Sequence, residues 1–333
     1  MEALPVQDPT DVASVRRRIV GLVTAIGYNE TQAGRVAIVV TELAQNLLRH
    51  GRGGEILAGA DPHRPAGIEI MALDRGPGMA DVASCLRDGF STGGTSGNGL
   101  GAIQRLAHQL LIHSAKGGGT AVLVRMGMDD NPSGDTPVGG VPRRTAALCV
   151  PKHGQTVCGD TAAIVVRPDG KVAVLLADGL GHGPEAAAAS QEAARLFHKH
   201  QGETATASLT ILHAGLRATR GAALATALID PAARLVTYGG IGNIAGFITD
   251  TAGTRRMVSH SGTAGHTAGR IQEFYYPIHN RPVLVMFSDG LTTSWSPEGH
   301  PGLFALDPAL IAGVLYRDHA RGRDDASVVV WKG

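Results

Sequence analysis

The chain has 333 residues, long for one hydrophobic core and comfortable for two. Hydrophobic residues at 43% and charged residues at 18% are ordinary for a globular protein, whereas 46 glycines beside 4% aromatics imply many tight turns or close ligand approaches. A net charge of +1 offers no field for nucleic acid or anionic lipid, and no apolar run approaches the roughly 18 residues that cross a bilayer.

In chain order, Asp8-Pro9-Thr10 precedes Val12, Val15, Ile19, Leu22, Val23 and Ile26, an apolar stripe at helical spacing. A second helix is predicted over 31–49, with Val36, Val40, Leu43 and Leu47 on its core side. Strands follow at 55–58 and 68–73, then a short helix near 82–86, a polar Gly/Ser/Thr loop and a helix from Leu100. Strands at 110–113 and 120–126 complete a layout of helices on one mixed sheet. Residues 127–144, with three prolines, four glycines and no apolar periodicity, read as a linker. The domains expected are therefore 1–127 and 145–333, joined by 128–144.

After the linker, strands at 162–166 and 172–177 flank the turn Arg167-Pro-Asp-Gly170. Helices are predicted over 184–200, with Pro184 at a first helical position, and over 207–217. A hairpin at 224–229 and 235–239 and buried strands at 282–287 and 327–331 follow. Paired helices and many antiparallel strands predict two sheet layers with helices outside, and the fold class is α+β. The N-terminus lacks a basic stretch leading an apolar one, which argues against a secretory signal. Cys85, Cys149 and Cys158 show no Cys-x-x-Cys spacing and read as buried thiols, so the expected compartment is the cytoplasm.

Two groups of residues carry chemistry. Glu42 and Asn46 share a helix face that departs from the apolar stripe. Alone, such a pair reads as a solvated face, but a carboxylate beside an amide oxygen also suits one base and one Mg2+ ligand. Asp74-x-Gly76-x-Gly78 follows at a strand end, and the run from Asp88 to Gly97-x-Gly99-Leu100-Gly101 feeds a helix N-terminus suited to polyphosphate. A dinucleotide fingerprint is excluded, because Gly97-x-Gly99 follows a polar loop and no acid stands some twenty residues on. The second group is Asp160, Asp178, Asp289 and Asp325, four carboxylates at strand ends. One Asp before Gly is usually a turn residue. Four converging at one sheet edge would instead suit Mg2+ or Mn2+, two of which could activate water toward phosphorus.

In this order the first group, ending in Gly119-Thr120, resembles the N, G1 and G2 boxes of the GHKL ATPase/kinase superfamily over about residues 10–127. The resemblance implies a Bergerat-type α/β sandwich that binds ATP and Mg2+. Asp88-Gly-Phe-Ser-Thr-Gly-Gly is similar to the small bacterial kinases of partner-switching antagonist proteins. By that resemblance Glu42 is the base for the acceptor hydroxyl, Asn46 the Mg2+ ligand and Asp74 the adenine reader. Gly76, Gly78, Gly97, Gly99, Leu100, Gly101 and Thr120 complete the nucleotide site. A sensor histidine kinase is not expected, and His50 reads as a helix cap.

The second group, with Gly181-His182-Gly183 and the Ala-rich helix after it, resembles the SpoIIE-type branch of metal-dependent type 2C protein phosphatases, an α-β-β-α sandwich. Gly242-Asn243-Ile244 fits the small stressosome phosphatases of that branch better than its larger members. The carry-over makes Asp178 the bridging ligand, puts the Gly179 carbonyl on one metal and Asp160, Asp289 and Asp325 on the other. Leu180 stands where some relatives have a histidine, and no phosphate-binding Arg can be assigned.

Together the resemblances imply a bifunctional switch enzyme using ATP, Mg2+ and Mn2+. Its expected partner is a STAS-domain phosphoprotein, with neither nucleic acid nor membrane, and a homodimer is left open. The rivals are a phosphatase whose N-domain only senses ATP, and a module that sequesters a sigma factor or other partner.

Overall fold

The computed structural model describes residues 1–85, 99–129, 143–200 and 204–333, and it divides into two compact units, Met1–Arg143 and Arg144–Gly333. Leu86 and residues 130–142, the body of the expected linker, lie outside the described residues.

In the first unit β1 (Glu2–Val6) leads into α1 (Pro9–Ala25) and α2 (Glu30–Asn46). Both helices begin on reciprocal caps. Asp8 Oδ1 accepts the Thr10 amide at 2.8 Å while Asp11 accepts the Asp8 amide at 3.0 Å. Asn29 and Gln32 exchange side-chain and amide bonds, each at 2.9 Å. A cap of this kind stabilises by about 1 kcal/mol, enough to fix where a helix starts. α2 does not run regularly to 49. It widens into a π turn over Leu47–Gly51 that ends at Arg52 with φ 62°, so His50 sits within the turn and does not cap it. π turns cost hydrogen-bond quality and cluster at functional sites.

β2 (Gly54–Ala60), β3 (Ile68–Asp74), α3 (Val82–Cys85), α4 (Gly99–Leu106), β4 (Gln109–Ser114) and β5 (Thr120–Met126) complete the unit. The sheet order is β1-β2-β3-β5-β4. Its ladders are all antiparallel rather than mixed, because β5 inserts between β3 and β4 and runs opposite to both. β1 carries Pro5, which disguises it in the sequence; at a sheet edge a missing N–H need cost no ladder bond. Val15, Ile19 and Val23 of α1 and Val36, Val40 and Leu43 of α2 bury against Ile56, Ile70 and Val124 of the sheet. The predicted stripe stops short of Ile26, which is 45% exposed.

The second unit opens with β6 (Thr145–Val150), β7 (Asp160–Val166), β8 (Val172–Gly179), α5 (Pro184–His200) and α6 (Ala205–Gly215). It continues with β9 (Ala222–Asp230), β10 (Leu235–Ile241), β11 (Ala245–Asp250), β12 (Gly253–Arg256), β13 (Gly262–Thr263), β14 (Thr267–Ala268) and β15 (Phe274–Pro277). β16 (Val283–Phe287), α7 (Pro308–His319) and β17 (Ala326–Lys332) close it. Two five-stranded sheets form, β15-β10-β9-β8-β7 and β12-β11-β16-β17-β6. α5 and α6 cover the first and α7 the second, which makes the α-β-β-α sandwich. Between the sheets Leu176, Ala227 and Tyr238 meet Ile248, Leu284, Met286 and Trp331. Each fully buried aliphatic side chain there contributes about 1.5–3 kcal/mol, and this core fixes where the strand ends bearing the aspartates lie.

Among the described residues no helix is long and apolar enough to cross a membrane. The three cysteines are free and half-buried, not fully buried; Cys149 lies on β6, an edge strand.

Candidate active sites

In the first unit, α2 places Glu42 and Asn46 one turn apart and half-buried. α4 starts directly against them: a Cβ at Gly99 would stand 2.7 Å from Glu42 Oε2 and 3.9 Å from Asn46 Oδ1. The absence of a side chain at Gly99 lets the helix N-terminus, the positive end of its dipole, approach a carboxylate and an amide without displacing Glu42. Leu100 packs against the core and Gly101 is buried in α4. Gly97 and the loop over 88–98 lie outside the described residues.

Asp74 closes β3 and is buried. Its Oδ1 accepts the Gly76 amide at 2.8 Å and the Thr120 amide at 3.1 Å. Gly78 follows with φ 69°, and a Cβ there would overlap the Ala115 carbonyl. Ser114 ties this corner together, bonding Thr120 Oγ1 at 2.9 Å and accepting the Met79 amide at 2.8 Å. Sequence reasoning missed Ser114, whose only signal is its place at the end of β4. The structure thus gathers Asp74, Gly76, Gly78 and Thr120 at one corner and Glu42, Asn46 and Gly99 at another. The glycine cradle and the α4 N-terminus fit a nucleotide polyphosphate.

In the second unit, Asp160 and Asp178 are direct partners across the β7–β8 ladder. Gly179 is wedged so that a Cβ would overlap the Ala186 carbonyl, which leaves glycine the only tolerated residue after Asp178. Asp289 follows β16 after Ser288 and is held by Asn243, whose Nδ2 donates to Oδ2 at 2.7 Å. Asp160 Oδ2 accepts the Ser327 hydroxyl at 2.6 Å. Ser327 and Asn243 are orienting residues that spacing alone does not reveal.

The carboxylates converge electrostatically. Burial pushes Asp178 well above the ordinary carboxylate range, with Asp160, Asp289 and Asp324 adding to it. Burial likewise raises Asp160, offset by bonds from Ser327 and Ser288 and reinforced by Asp325. Asp289 is raised by burial and by Asp324, against the opposing charge of Arg321. Asp324 is the fifth carboxylate, adjacent in sequence to the residue that the spacing picks. Asp324 is exposed and acts on Asp178 and Asp289. Asp325 is buried, accepts the Lys152 amide at 2.8 Å and acts on Asp160.

Among the described residues no three or more His, Cys, Asp or Glu close into a ready-made metal cage. The cluster is open, all-oxygen and short of positive charge, and the buried Asp325 Oδ2 has no partner. That donor set fits hard divalent cations such as Mg2+ or Mn2+. Leu180 is exposed beside it, and Arg220 pairs with Glu185 near the Gly181 turn.

Comparison with known proteins agrees with this division. Residues 6–126 match the histidine kinase-like ATPase domain family, and residues 168–332 match the stage II sporulation protein E (SpoIIE) family. The serine/threonine-protein kinase RsbT of Bacillus subtilis (strain 168) is 29% identical over 113 residues, 34% of this chain and 85% of RsbT. A structure from work on the bacterial stressosome as a modular system controlling secondary messenger signalling aligns with TM-score 0.53 and 23% identity, over 56% of this chain and 97% of that one. RsbX in complex with magnesium aligns with TM-score 0.49 and 18% identity, over 56% of this chain and 94% of RsbX. At 23% identity the stressosome structure speaks for the fold alone. The chain is therefore an enzyme that joins a histidine kinase-like ATPase domain homologous to RsbT, within residues 6–126, to a domain that matches the SpoIIE family, within residues 168–332.

Proposed function

We propose that the chain is a bifunctional partner-switching regulator that phosphorylates and dephosphorylates Ser or Thr of a STAS-domain protein. The observation that carries this reading is the opposite electrostatic design of the two sites: a helix N-terminus and glycine cradle beside Glu42 and Asn46, and a cluster of uncompensated carboxylates around Asp178. The homology to RsbT, named a serine/threonine kinase, supports transfer rather than sensing alone.

In the first site Asn46 would hold Mg2+ and Asp74, braced by Gly76 and Thr120, would read the adenine. Glu42 accepts the proton of the acceptor hydroxyl as its oxygen bonds the γ-phosphorus of ATP; the bond to the β–γ bridging oxygen breaks and ADP leaves. In the second site Asp178, the Gly179 carbonyl, Asp160, Asp289 and Asp324 would hold the divalent cations; Asp324 here takes the ligand place that the resemblance gives Asp325, whose Oδ1 accepts the Lys152 amide. When bound, such cations supply Lewis acidity toward the phosphoryl group and lower the pKa of water. Asn243 and Ser327 keep the Asp289 and Asp160 carboxylates aimed. Hydrolysis joins a water oxygen to phosphorus and breaks the bond to the Ser or Thr oxygen, which takes its proton from solvent.

The test is hydrolysis of a phosphoserine peptide by the full chain. Release of phosphate that requires Mn2+ or Mg2+ and stops with EDTA supports the second-site assignment, and metal-independent release overturns it. Transfer of γ-labelled phosphate to a STAS protein separates kinase from sensor, and a stable STAS complex without ATP or transfer would favour sequestration.

A further inference from the structure

We propose that Arg321 is the phosphate-binding residue of the second site, its guanidinium receiving two oxygens of the substrate phosphoryl group. The proposal rests on the phosphatase reading above and names a residue that neither sequence spacing nor resemblance supplies.

Carboxylates alone repel a phosphate dianion, so a site that accepts one needs a cation from the protein as well as bound metal. A guanidinium matches two phosphate oxygens with a planar fork of donors. Of the basic residues near the carboxylates, Lys152, whose amide bonds Asp325, offers a point charge rather than a fork, and Arg323 has, among the described residues, no backbone bond to the segment after Asp289. Arg220 stands by the Gly181 turn but is paired with Glu185. Arg321 is exposed, and among the described residues its guanidinium makes no ion pair or hydrogen bond.

The backbone holds Arg321 in place. Its amide donates to the Gly290 carbonyl at 2.8 Å, one residue past Asp289. Leu291 pairs with Ala320, and the Thr292 amide donates to the His319 carbonyl at 2.9 Å. A short ladder therefore joins the end of α7 to the segment leaving Asp289. Trp295 clamps that ladder, its ring stacked on His319 at 4.6 Å and 6° while its Nε1 donates to the Thr292 carbonyl at 2.7 Å. His300 Nε2 meets His319 Nε2 at 2.9 Å from the other side. The chain thus fixes the Cα of Arg321 beside Asp289 and, among the described residues, leaves its charged end without a partner.

The test compares the full chain with Arg321→Ala and Arg321→Lys, loaded with Mn2+, on a phosphoserine peptide. Arg321→Ala is expected to raise KM by about 10- to 100-fold, the size of one charge-assisted contact, with a smaller change in kcat. Calorimetric affinity for inorganic phosphate should fall by a similar factor, and Arg321→Lys should recover part of both losses. Melting temperature and the Mn2+ midpoint should stay at the parent's values. Unchanged KM and phosphate affinity in Arg321→Ala, with an active parent, would overturn the proposal and leave the phosphatase reading standing. A parent with no metal-dependent turnover would overturn both.

Discussion

The two sites solve opposite charge problems with opposite means. The first, read as an anion site, offers backbone donors, a helix end and glycines; its buried acid, Asp74, is braced by two amides at 2.8 and 3.1 Å. The second, read as a cation site, crowds Asp160, Asp178 and Asp289 beside Asp324, and burial and neighbouring charge raise the proton affinity of those three. A satisfied acid is stable in the empty protein, whereas a crowded one destabilises it until the ligand arrives. The same residue type therefore serves as a structural brace in one unit and as stored repulsion in the other.

The largest expected effect breaks the second side of this contrast. Asp178→Asn should lower phosphatase turnover at least about 100-fold, as loss of a metal ligand does. Because Asp178 is raised above its unfolded value, its charge opposes folding at neutral pH. In EDTA the variant should consequently melt a few degrees above the parent, and in Mn2+ below it. A variant less stable than the parent in EDTA would mean that Asp178 is braced as Asp74 is.

On the first side, Asn46→Ala should weaken Mg2+-ATP binding about 10- to 100-fold, whereas Glu42→Gln should bind within about threefold yet transfer about 100-fold more slowly or worse. Calorimetry and single-turnover labelling separate these; equal binding losses in both would assign Glu42 to the nucleotide rather than to the proton.

Asp324 and Asp325 sharpen the contrast within one dipeptide. Asp324→Asn should raise the Mn2+ midpoint about 10-fold, and Asp325→Asn, which keeps an oxygen for the Lys152 amide, should change it less than about threefold. The reverse order would return the ligand role to Asp325.

This pair also marks where sequence reading ends. The Asp160–Asp178 pairing follows from a hairpin whose turn, Arg167-Pro-Asp-Gly170, is plain in the sequence, and register then sets the two acids opposite each other. Gly99 beside Glu42 is similarly legible, since a glycine entering a helix invites close approach. Which of two adjacent aspartates would hold metal is not legible, because both precede β17 in an irregular segment and both act on the cluster, Asp325 on Asp160 and Asp324 on Asp178 and Asp289. α7 escapes for another reason: residues 308–315 are all buried, so it has no polar face to give it a helical period. β11 and β15 each take a partner far away in sequence, β16 and β10, and β12 to β14 are strands of only two to four residues.

The smallest effect concerns the clamp on Arg321. Burial holds His300 below its ordinary value, with Asp318 opposing that shift, Arg317 adding to it, and His319 bonded at 2.9 Å. A lowered folded value means the contribution is complete above about pH 6.5 and is lost as pH falls through the His300 value. Between pH 7.5 and 5 the parent should lose a few degrees of melting temperature more than His300→Gln does; parallel losses would remove His300 from the account.

The central claim, two opposed phosphoryl reactions in one chain, is tested most directly by trapping one of them. The full chain, Asp289→Asn and Asn46→Ala are each incubated with γ-labelled ATP, Mg2+, Mn2+ and a STAS-domain protein, and label on that protein is followed in time. The account predicts transient label with the parent, sustained label with Asp289→Asn and none with Asn46→Ala. Absence of label on the STAS protein with Asp289→Asn would contradict it.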